Sequence, residues 1–170
     1  KPAGSMKKVV FLFLLSCSIL VKAQEVYDSF DKYGPPGVTY SNLKDALENV
    51  DIAYKVKIIN QLFDPKILPK LGTLSKVMAL QLTDNGLTQL PPEFKDLTNL
   101  IYFECTGNKI TSLPKNFGNL SQLTELHLHG TKLDSLPYEI AYLNRLQVLE
   151  IQNNNVAVFY FPNSIGYLPN

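Results

Sequence analysis

The sequence has few of the residues and motifs on which most enzymes depend. It contains only two histidines, His127 and His129, and two cysteines, Cys17 and Cys105. It has no Gly-rich phosphate loop, no G-x-S-x-G motif and no H-E-x-x-H motif. We therefore predict that the protein is not an enzyme, and we assign it no cofactor and no metal ligand.

An excess of basic residues is also lacking. From Gln24 onward there are 12 Lys and Arg against 15 Asp and Glu, a net charge of −3. Without a basic stripe to pair with phosphates, nucleic acid is not an expected partner. The 170 residues are 45% hydrophobic, which is enough for one folded unit with a sizeable core.

No apolar run is long enough for a permanent membrane span, which needs roughly 20 residues. Residues 1–5 precede a methionine and are interpreted as a cloning scar. Residues 6–23 have the pattern of a secretory signal peptide, because Lys7 and Lys8 precede an apolar run that ends at Ala23. The protein is therefore expected to be secreted, or to lie in the periplasm or at the cell surface.

Cys17 leaves a second possibility for the N-terminus. It ends the sequence Leu14-Leu15-Ser16-Cys17, which resembles the lipobox of lipoproteins, where the cysteine is acylated and becomes the first residue. Apolar residues follow Cys17 instead of a polar tether, which favours ordinary cleavage, and lipid anchoring stays open. The other cysteine, Cys105, has no disulfide partner in the mature chain, so stability must come from packing.

Two short segments precede the main part of the chain. Residues 24–40 contain the turn-rich sequence Tyr33-Gly34-Pro35-Pro36-Gly37 and are interpreted as a linker. Residues 41–52 predict a short helix that Ser41 caps. Its apolar residues have the spacing of one helical face: Leu43, Ala46, Leu47 and Val50.

From residue 53 to residue 170 the sequence repeats itself every 23 residues. Each copy has an alternating apolar pair, then Asn or Thr, a Leu-Pro pair and two further apolar positions. A degenerate copy comes first, and the last copy slips by two residues. Such regularity indicates a structural unit that stacks on its neighbours. The clear copies start at Val77, Leu100, Leu123 and Leu146.

The pattern L-x-x-L-x-L-x-x-N-x-L-x-x-L-P-x-x-h-x-x-L resembles the leucine-rich repeat family over roughly residues 53–168. The resemblance implies an α/β fold, a right-handed curved solenoid of about five units with a parallel sheet on its concave face and a short N-terminal helix cap. It also implies that a column of asparagines bonds backbone groups inside the turns, with Thr131 as an interruption. These structural asparagines are Asn85, Asn108 and Asn154.

In this family the ligand usually binds the concave sheet, whose exposed residues alternate with the core residues. One column is Lys55, Ala79, Tyr102, Glu125 and Val148; the next is Lys57, Gln81, Glu104, His127 and Glu150; the third is Ile59, Thr83, Thr106, His129 and Gln152. The predicted ligand-binding residues are Gln81, Tyr102, Glu104, Thr106, Glu125, His127, His129, Val148, Glu150 and Gln152.

Two features of this predicted face have alternative interpretations. Glu104, His127 and Glu150 are expected about 4.8 Å apart across the sheet, where two carboxylates favour the charged histidine. They form either a metal site or pH-sensitive contact, or a solvated charged face, which we prefer because no dense ligand motif accompanies them. Tyr102 is either an exposed anchor for a partner or a scattered surface residue.

The resemblance implies a secreted protein-binding module, exported from a bacterium, that acts through the concave sheet. One alternative is a glycan or cell-wall binder that uses Tyr102, Glu104, His127 and Glu150. Another is a metal-dependent site at the two histidines.

The C-terminal edge of the solenoid is a second candidate surface. No polar capping segment follows the last repeat, so either the sequence has been cut short, residues 156–167 cap the core, or the edge pairs with another chain. Self-association is therefore a further expectation. An aromatic cluster of Phe159, Tyr160, Phe161 and Tyr167 lies here, with core filling expected for Phe159 and Phe161.

Overall fold

The computed structural model describes residues 10–11, 30–64, 66–152, 154, 156 and 158–168, and for residues 10–11 it describes the backbone alone. The predicted cloning scar, Cys17 and most of the predicted signal peptide lie outside these ranges.

The described part of the chain forms a parallel sheet of seven strands in the order β1-β7-β6-β5-β4-β3-β2. Strands β2 to β7 therefore follow one another in space as they do in sequence, which is the arrangement of a solenoid. The bounds are β1 Val10–Phe11, β2 Thr39–Tyr40, β3 Lys55–Ile59, β4 Ala79–Thr83, β5 Tyr102–Glu104, β6 Glu125–His127 and β7 Val148–Glu150.

The 23-residue period sets the register of the sheet. Leu80 pairs with Phe103, Phe103 with Leu126 and Leu126 with Leu149. All four side chains are buried in one continuous core, because equivalent positions of successive units must point to the same side of a parallel sheet. The predicted solenoid fold is confirmed.

Short 3-10 helices form the second layer of the fold, on the far side of the core. In four of the five described ones the residue before the helix is the proline of a Leu-Pro or Phe-Pro pair, whose ring fixes φ near −65°. The helices remain short, and their apolar residues, such as Phe94, Phe117 and Ile140, are fully buried. They span Leu68–Thr73, Pro92–Asp96, Lys115–Asn119, Tyr138–Tyr142 and Asn163–Tyr167.

The N-terminal end of the solenoid is covered by two elements. Strand β2 pairs with β3 and so extends the sheet, while helix α1, Leu43–Glu48, buries Leu43 and Ala46 in the core. The cap of α1 differs from the sequence prediction: Asn42, not Ser41, accepts a hydrogen bond from the backbone of Asp45 at 2.8 Å. Both residue types cap helices well, so sequence alone could not separate adjacent candidates.

At the C-terminal end the backbone of Val10–Phe11 pairs with β7. This pairing occupies the C-terminal edge of the sheet. The sequence had left three interpretations of that edge: a shortened chain, capping by residues 156–167, or pairing with another chain. The last 3-10 helix contributes a second contact, since the buried Ser164 hydroxyl donates to the carbonyl of Tyr138 at 2.8 Å. Phe159 and Phe161 pack against the core, as predicted.

The asparagine column links successive turns through buried hydrogen bonds. Asn108 Oδ1 accepts from the backbone of Asn85 and Leu87 at 3.1 and 3.0 Å, and its Nδ2 donates to the carbonyl of Leu82 at 2.7 Å. Asn154 Oδ1 accepts from the backbone of Thr131 at 3.1 Å. Each such bond satisfies a backbone group that water cannot reach.

Thr131 is the exception in this column, and it suggests a stabilising substitution. Its hydroxyl accepts a bond from Leu133 of its own turn at 3.3 Å and is too short to make the contacts that Asn108 makes one unit earlier. We expect Thr131→Asn to raise the free energy of unfolding by about 1 kcal/mol, since its amide would reach the backbone of Asn108 and Cys105. Urea denaturation measures the change, with Thr131→Val as the control that loses the hydroxyl. A less stable Thr131→Asn variant would contradict the interpretation.

Candidate functional site

The site is the outward sheet face, defined as the strand side chains that alternate with the core residues. The parallel register aligns Tyr102 with Glu125, and Glu104 with His127 and then Glu150. The neighbours that the 23-residue period predicted are therefore adjacent in the structure. Glu104 and His127 are nevertheless buried, so the interpretation of this region as a solvated charged face is wrong.

A segment made of two helical residues and the turn and bends that follow them covers part of this face. Residues 30–34, here called the strap, lie within the predicted linker, yet Phe30 is only 2% exposed and Tyr33 is half-buried. Their rings pack on Tyr102 with centroids 5.7 and 6.1 Å away. The turn-rich composition correctly indicates the turn and bends of residues 32–34, whereas Phe30 and Asp31 are helical. In its described part this segment is packed rather than a free tether.

The exposure of Tyr102 consequently differs from the prediction that it is an exposed anchor. It lies on the outward sheet face but is fully buried beneath Phe30 and Tyr33. Its hydroxyl donates to Glu104 Oε2 at 2.7 Å, so the polar end of the ring is satisfied inside the protein. No part of Tyr102 is available to a partner while the strap is in place.

Polar contacts hold the strap as well. Lys32 Nζ and the Tyr33 hydroxyl both donate to Glu125 Oε1, at 2.7 and 2.6 Å. Lys55 Nζ donates to the carbonyl of Asp31 at 2.6 Å. Burial alone would raise the pKa of Glu125, but the contact with His127 and the hydrogen bonds from Lys32 and Tyr33 outweigh it and lower the pKa to about 2. Glu125 is therefore a buried carboxylate with its charge compensated.

His127 lies at the centre of the face, between two carboxylates. Its Nδ1 donates to Glu150 Oε2 at 2.8 Å, and its Nε2 faces Glu125 Oε2 at 3.5 Å. Burial alone would lower the pKa of His127, but Glu125 and Glu150, with a further contribution from Glu104, raise the pKa to about 9. The direction agrees with the expectation that two carboxylates favour the charged histidine, but Glu125 rather than Glu104 is the main partner beside Glu150.

Glu150 connects the two histidines. His129 Nε2 donates to the same Oε2 atom at 2.9 Å. These two hydrogen bonds lower the pKa of Glu150 more than its partial burial raises it. The His129 and Glu150 side chains are 24% and 16% exposed, so this end of the cluster meets solvent, whereas the His127 ring does not.

The third column remains the most accessible part of the face. Ile59 is 39% exposed, and the other four members are half-buried, as is Val148 in the first column. Among the described residues the Thr106 hydroxyl has no hydrogen-bond partner. We call this column the accessible strip, and it consists of Ile59, Thr83, Thr106, His129 and Gln152.

Gln81 is the remaining predicted ligand-binding residue, and Cys105 is a core residue next to the face. Gln81 is buried, and its Nε2 donates to the Thr83 hydroxyl at 3.2 Å. Cys105 points into the core, where burial raises the pKa of its thiol to about 12. A thiol held neutral in this way is not a nucleophile, and its role is packing.

Sequence reasoning missed Phe30, Lys32 and Tyr33 as parts of the site. A signal existed, because two aromatic residues flank a lysine in a chain whose predicted face carries the carboxylates Glu104 and Glu125. The spacing could not show where an aperiodic segment lies. The aromatic cluster at the C-terminal end is separate, with Tyr160 and Tyr167 well exposed.

Comparisons with known proteins agree with this architecture. The family model described as "Leucine rich repeat" matches residues 75–133. Comparison with curated protein sequences finds no match. Within its described residues the chain has no helix long and apolar enough to cross a membrane.

Two solved structures are similar to the chain. A leucine-rich repeat protein of Leptospira interrogans matches 78% of this chain at 27% identity, with a TM-score of 0.62. The leucine-rich repeat ectodomain of the Arabidopsis thaliana membrane receptor kinase GASSHO1/SCHENGEN3, in complex with CASPARIAN STRIP INTEGRITY FACTOR 2, matches 76% at 22% identity, with a TM-score of 0.54. The matches span 39% and 16% of those two chains.

Proposed function

Because the chain is a leucine-rich repeat protein, we propose that it is a secreted protein-binding module whose partner lies along the accessible strip of the sheet. Leucine-rich repeats are generally binding scaffolds without catalytic activity, and the plant ectodomain is in a complex through the same type of fold. A shared fold does not name a ligand, so the proposal depends on the face itself. Secretion is proposed from residues 6–23.

One observation carries the proposal: the outward sheet face already binds another segment of polypeptide, the strap. The strap is held by ring packing on Tyr102 and by two hydrogen bonds to Glu125. These are the contacts that protein interfaces use, with an aromatic anchor beside a charge-assisted bond. The face is therefore suited to polypeptide.

The accessible strip offers a partner both apolar area and hydrogen-bonding groups. Ile59 supplies exposed apolar surface at one end. The partly exposed His129 ring follows just past the end of β6. An extended segment that crosses the repeats at the strand spacing of about 4.8 Å would meet one side chain of the accessible strip in each repeat.

The glycan alternative finds no support in this arrangement. Sugar rings need an exposed aromatic face, and the Tyr102 ring proposed for that role is covered by Phe30 and Tyr33. Glu104 and His127 are buried as well.

Affinity capture with matched variants tests the proposal. The bait carrying Thr83→Arg and Thr106→Arg blocks the accessible strip, whereas Thr98→Arg and Thr111→Arg place the same side chains at exposed positions outside the sheet. We expect a protein partner from extracts of source or host cells that binds the unmodified and control baits and binds the blocked bait at least tenfold more weakly, about 1.4 kcal/mol.

All baits must first show the same thermal unfolding. A partner that binds the blocked bait as tightly as the control would overturn the assignment of the strip. Binding of purified cell-wall polysaccharide, with no protein retained, would favour the glycan binder instead.

A further inference from the structure

The cluster at the solvent-exposed end of strands β6 and β7 has the composition of a metal site. His127 and His129 are two residues apart, so they lie on the same face of one chain segment, and Glu150 opposes them from β7. One potential ligand atom from each residue lies within 4.8 Å of the other two. Two imidazoles and one carboxylate are an established ligand set for Zn²⁺.

We propose that His127 Nδ1, His129 Nε2 and Glu150 Oε2 bind one Zn²⁺ ion. In a tetrahedral site with metal–ligand distances near 2.1 Å, the ligand atoms lie about 3.4 Å apart. The two histidine nitrogens lie 2.8 and 2.9 Å from Glu150 Oε2, so binding of the ion requires each of these two distances to lengthen by roughly half an ångström. It would take the place of the protons that these nitrogens now share with the carboxylate.

Glu125 occupies the position of a supporting carboxylate. When Nδ1 of a histidine binds a metal, its other nitrogen carries a proton and commonly donates it to a carboxylate that fixes the ring. His127 Nε2 faces Glu125 Oε2 at 3.5 Å, and Glu125 is itself held by Lys32 and Tyr33. The strap therefore orients Glu125, which in turn would orient His127 as a zinc ligand.

The exposure of the cluster gives an ion a route and an open coordination position. His127 is buried, while the His129 and Glu150 side chains reach solvent. Three protein ligands leave the fourth tetrahedral position for water or for a side chain of a binding partner. The site lies at the accessible strip, which His129 shares, but zinc binding does not depend on the proposed function.

Zinc binding is tested on the tag-free chain, freed of metal by a chelator, through calorimetric titration with ZnCl₂. We expect one Zn²⁺ per chain, and Co²⁺ should give the visible absorption of a tetrahedral site. His129→Ala and Glu150→Gln should each weaken binding by about 100-fold or more, and Glu125→Gln by about 10- to 100-fold. Thr98→Ala, at an exposed position outside the sheet, is the control and should bind zinc as the unmodified chain does.

His129→Ala is the decisive variant, because this partly exposed residue can be changed without opening the core. Absence of stoichiometric zinc at micromolar concentrations would overturn the proposal. Zinc that binds equally well to the His129→Ala and Glu150→Gln chains would overturn it too, since the ion would then lie elsewhere. A failed capture experiment would leave the zinc result unaffected, so the two proposals are distinguished.

Discussion

Replacing Asn108 with alanine is expected to lower the free energy of unfolding by about 3–5 kcal/mol. The substitution leaves the backbone N–H groups of Asn85 and Leu87 and the carbonyl of Leu82 without their partner. Each unsatisfied buried group costs about 1–3 kcal/mol. The loss is large because one side chain serves two turns of the solenoid.

Asn99→Ala is the matched control for this measurement. Asn99 donates one bond, to the carbonyl of Ser75 at 2.7 Å, from an exposed position, where water can replace it. We expect a loss of about 1 kcal/mol or less in urea denaturation. Equal losses for the two variants would show that the buried asparagine column contributes nothing beyond an ordinary surface hydrogen bond.

The second large effect is the change of the free energy of unfolding with pH, measured on the metal-free protein in the presence of a chelator. The pKa of His127 is raised from 6.5 to about 9 by Glu125 and Glu150, with Glu104 adding to the effect. The contribution of charged His127 to the stability of the fold is therefore complete below pH 6.5 and is lost as pH rises to 9. A rise of this size corresponds to roughly 3 kcal/mol.

The loss of stability at low pH follows from Glu125. Because its folded pKa is lowered from 4.5 to about 2, its stabilisation is present above pH 4.5 and is lost as pH falls to 2. The lowered pKa of Glu150 acts in the same direction. Stability should therefore be highest between about pH 4.5 and pH 6.5.

Denaturation curves across this range, with NMR titration of the histidine ring signals, provide the test. A His127→Gln chain should lose the decline in stability between pH 6.5 and 9, and His127 itself should titrate near pH 9. Titration of His127 near its ordinary pKa of 6.5 would show that the carboxylates do not compensate its burial.

The sequence contained enough information to place neighbouring residues of the sheet. A period of 23 residues makes Glu104, His127 and Glu150 successive members of one column, because every unit repeats the same backbone path. The burial of Phe103 and of Cys105 follows from the same alternation. These results required no knowledge of contacts between distant segments.

The strap could not be placed in this way. Tyr33 donates a hydrogen bond to Glu125 across 92 residues, and no periodicity relates the strap, which lies outside the repeats, to a strand so far along the chain. Its position decides that Tyr102 is buried and that Glu125 is compensated. The exact helix cap at Asn42 is a smaller case, decided by local geometry between two equally suitable residue types.

The sequence by itself therefore determined the repeat, the strand register and the side chains that share the outward sheet face, because each follows from a local pattern that recurs. Only the tertiary structure decided which of those side chains are covered, and that His127 contacts Glu125 and donates a hydrogen bond to Glu150. The physical reason is that burial and charge compensation depend on contacts between segments far apart in sequence, here the strap and strands β5 and β6.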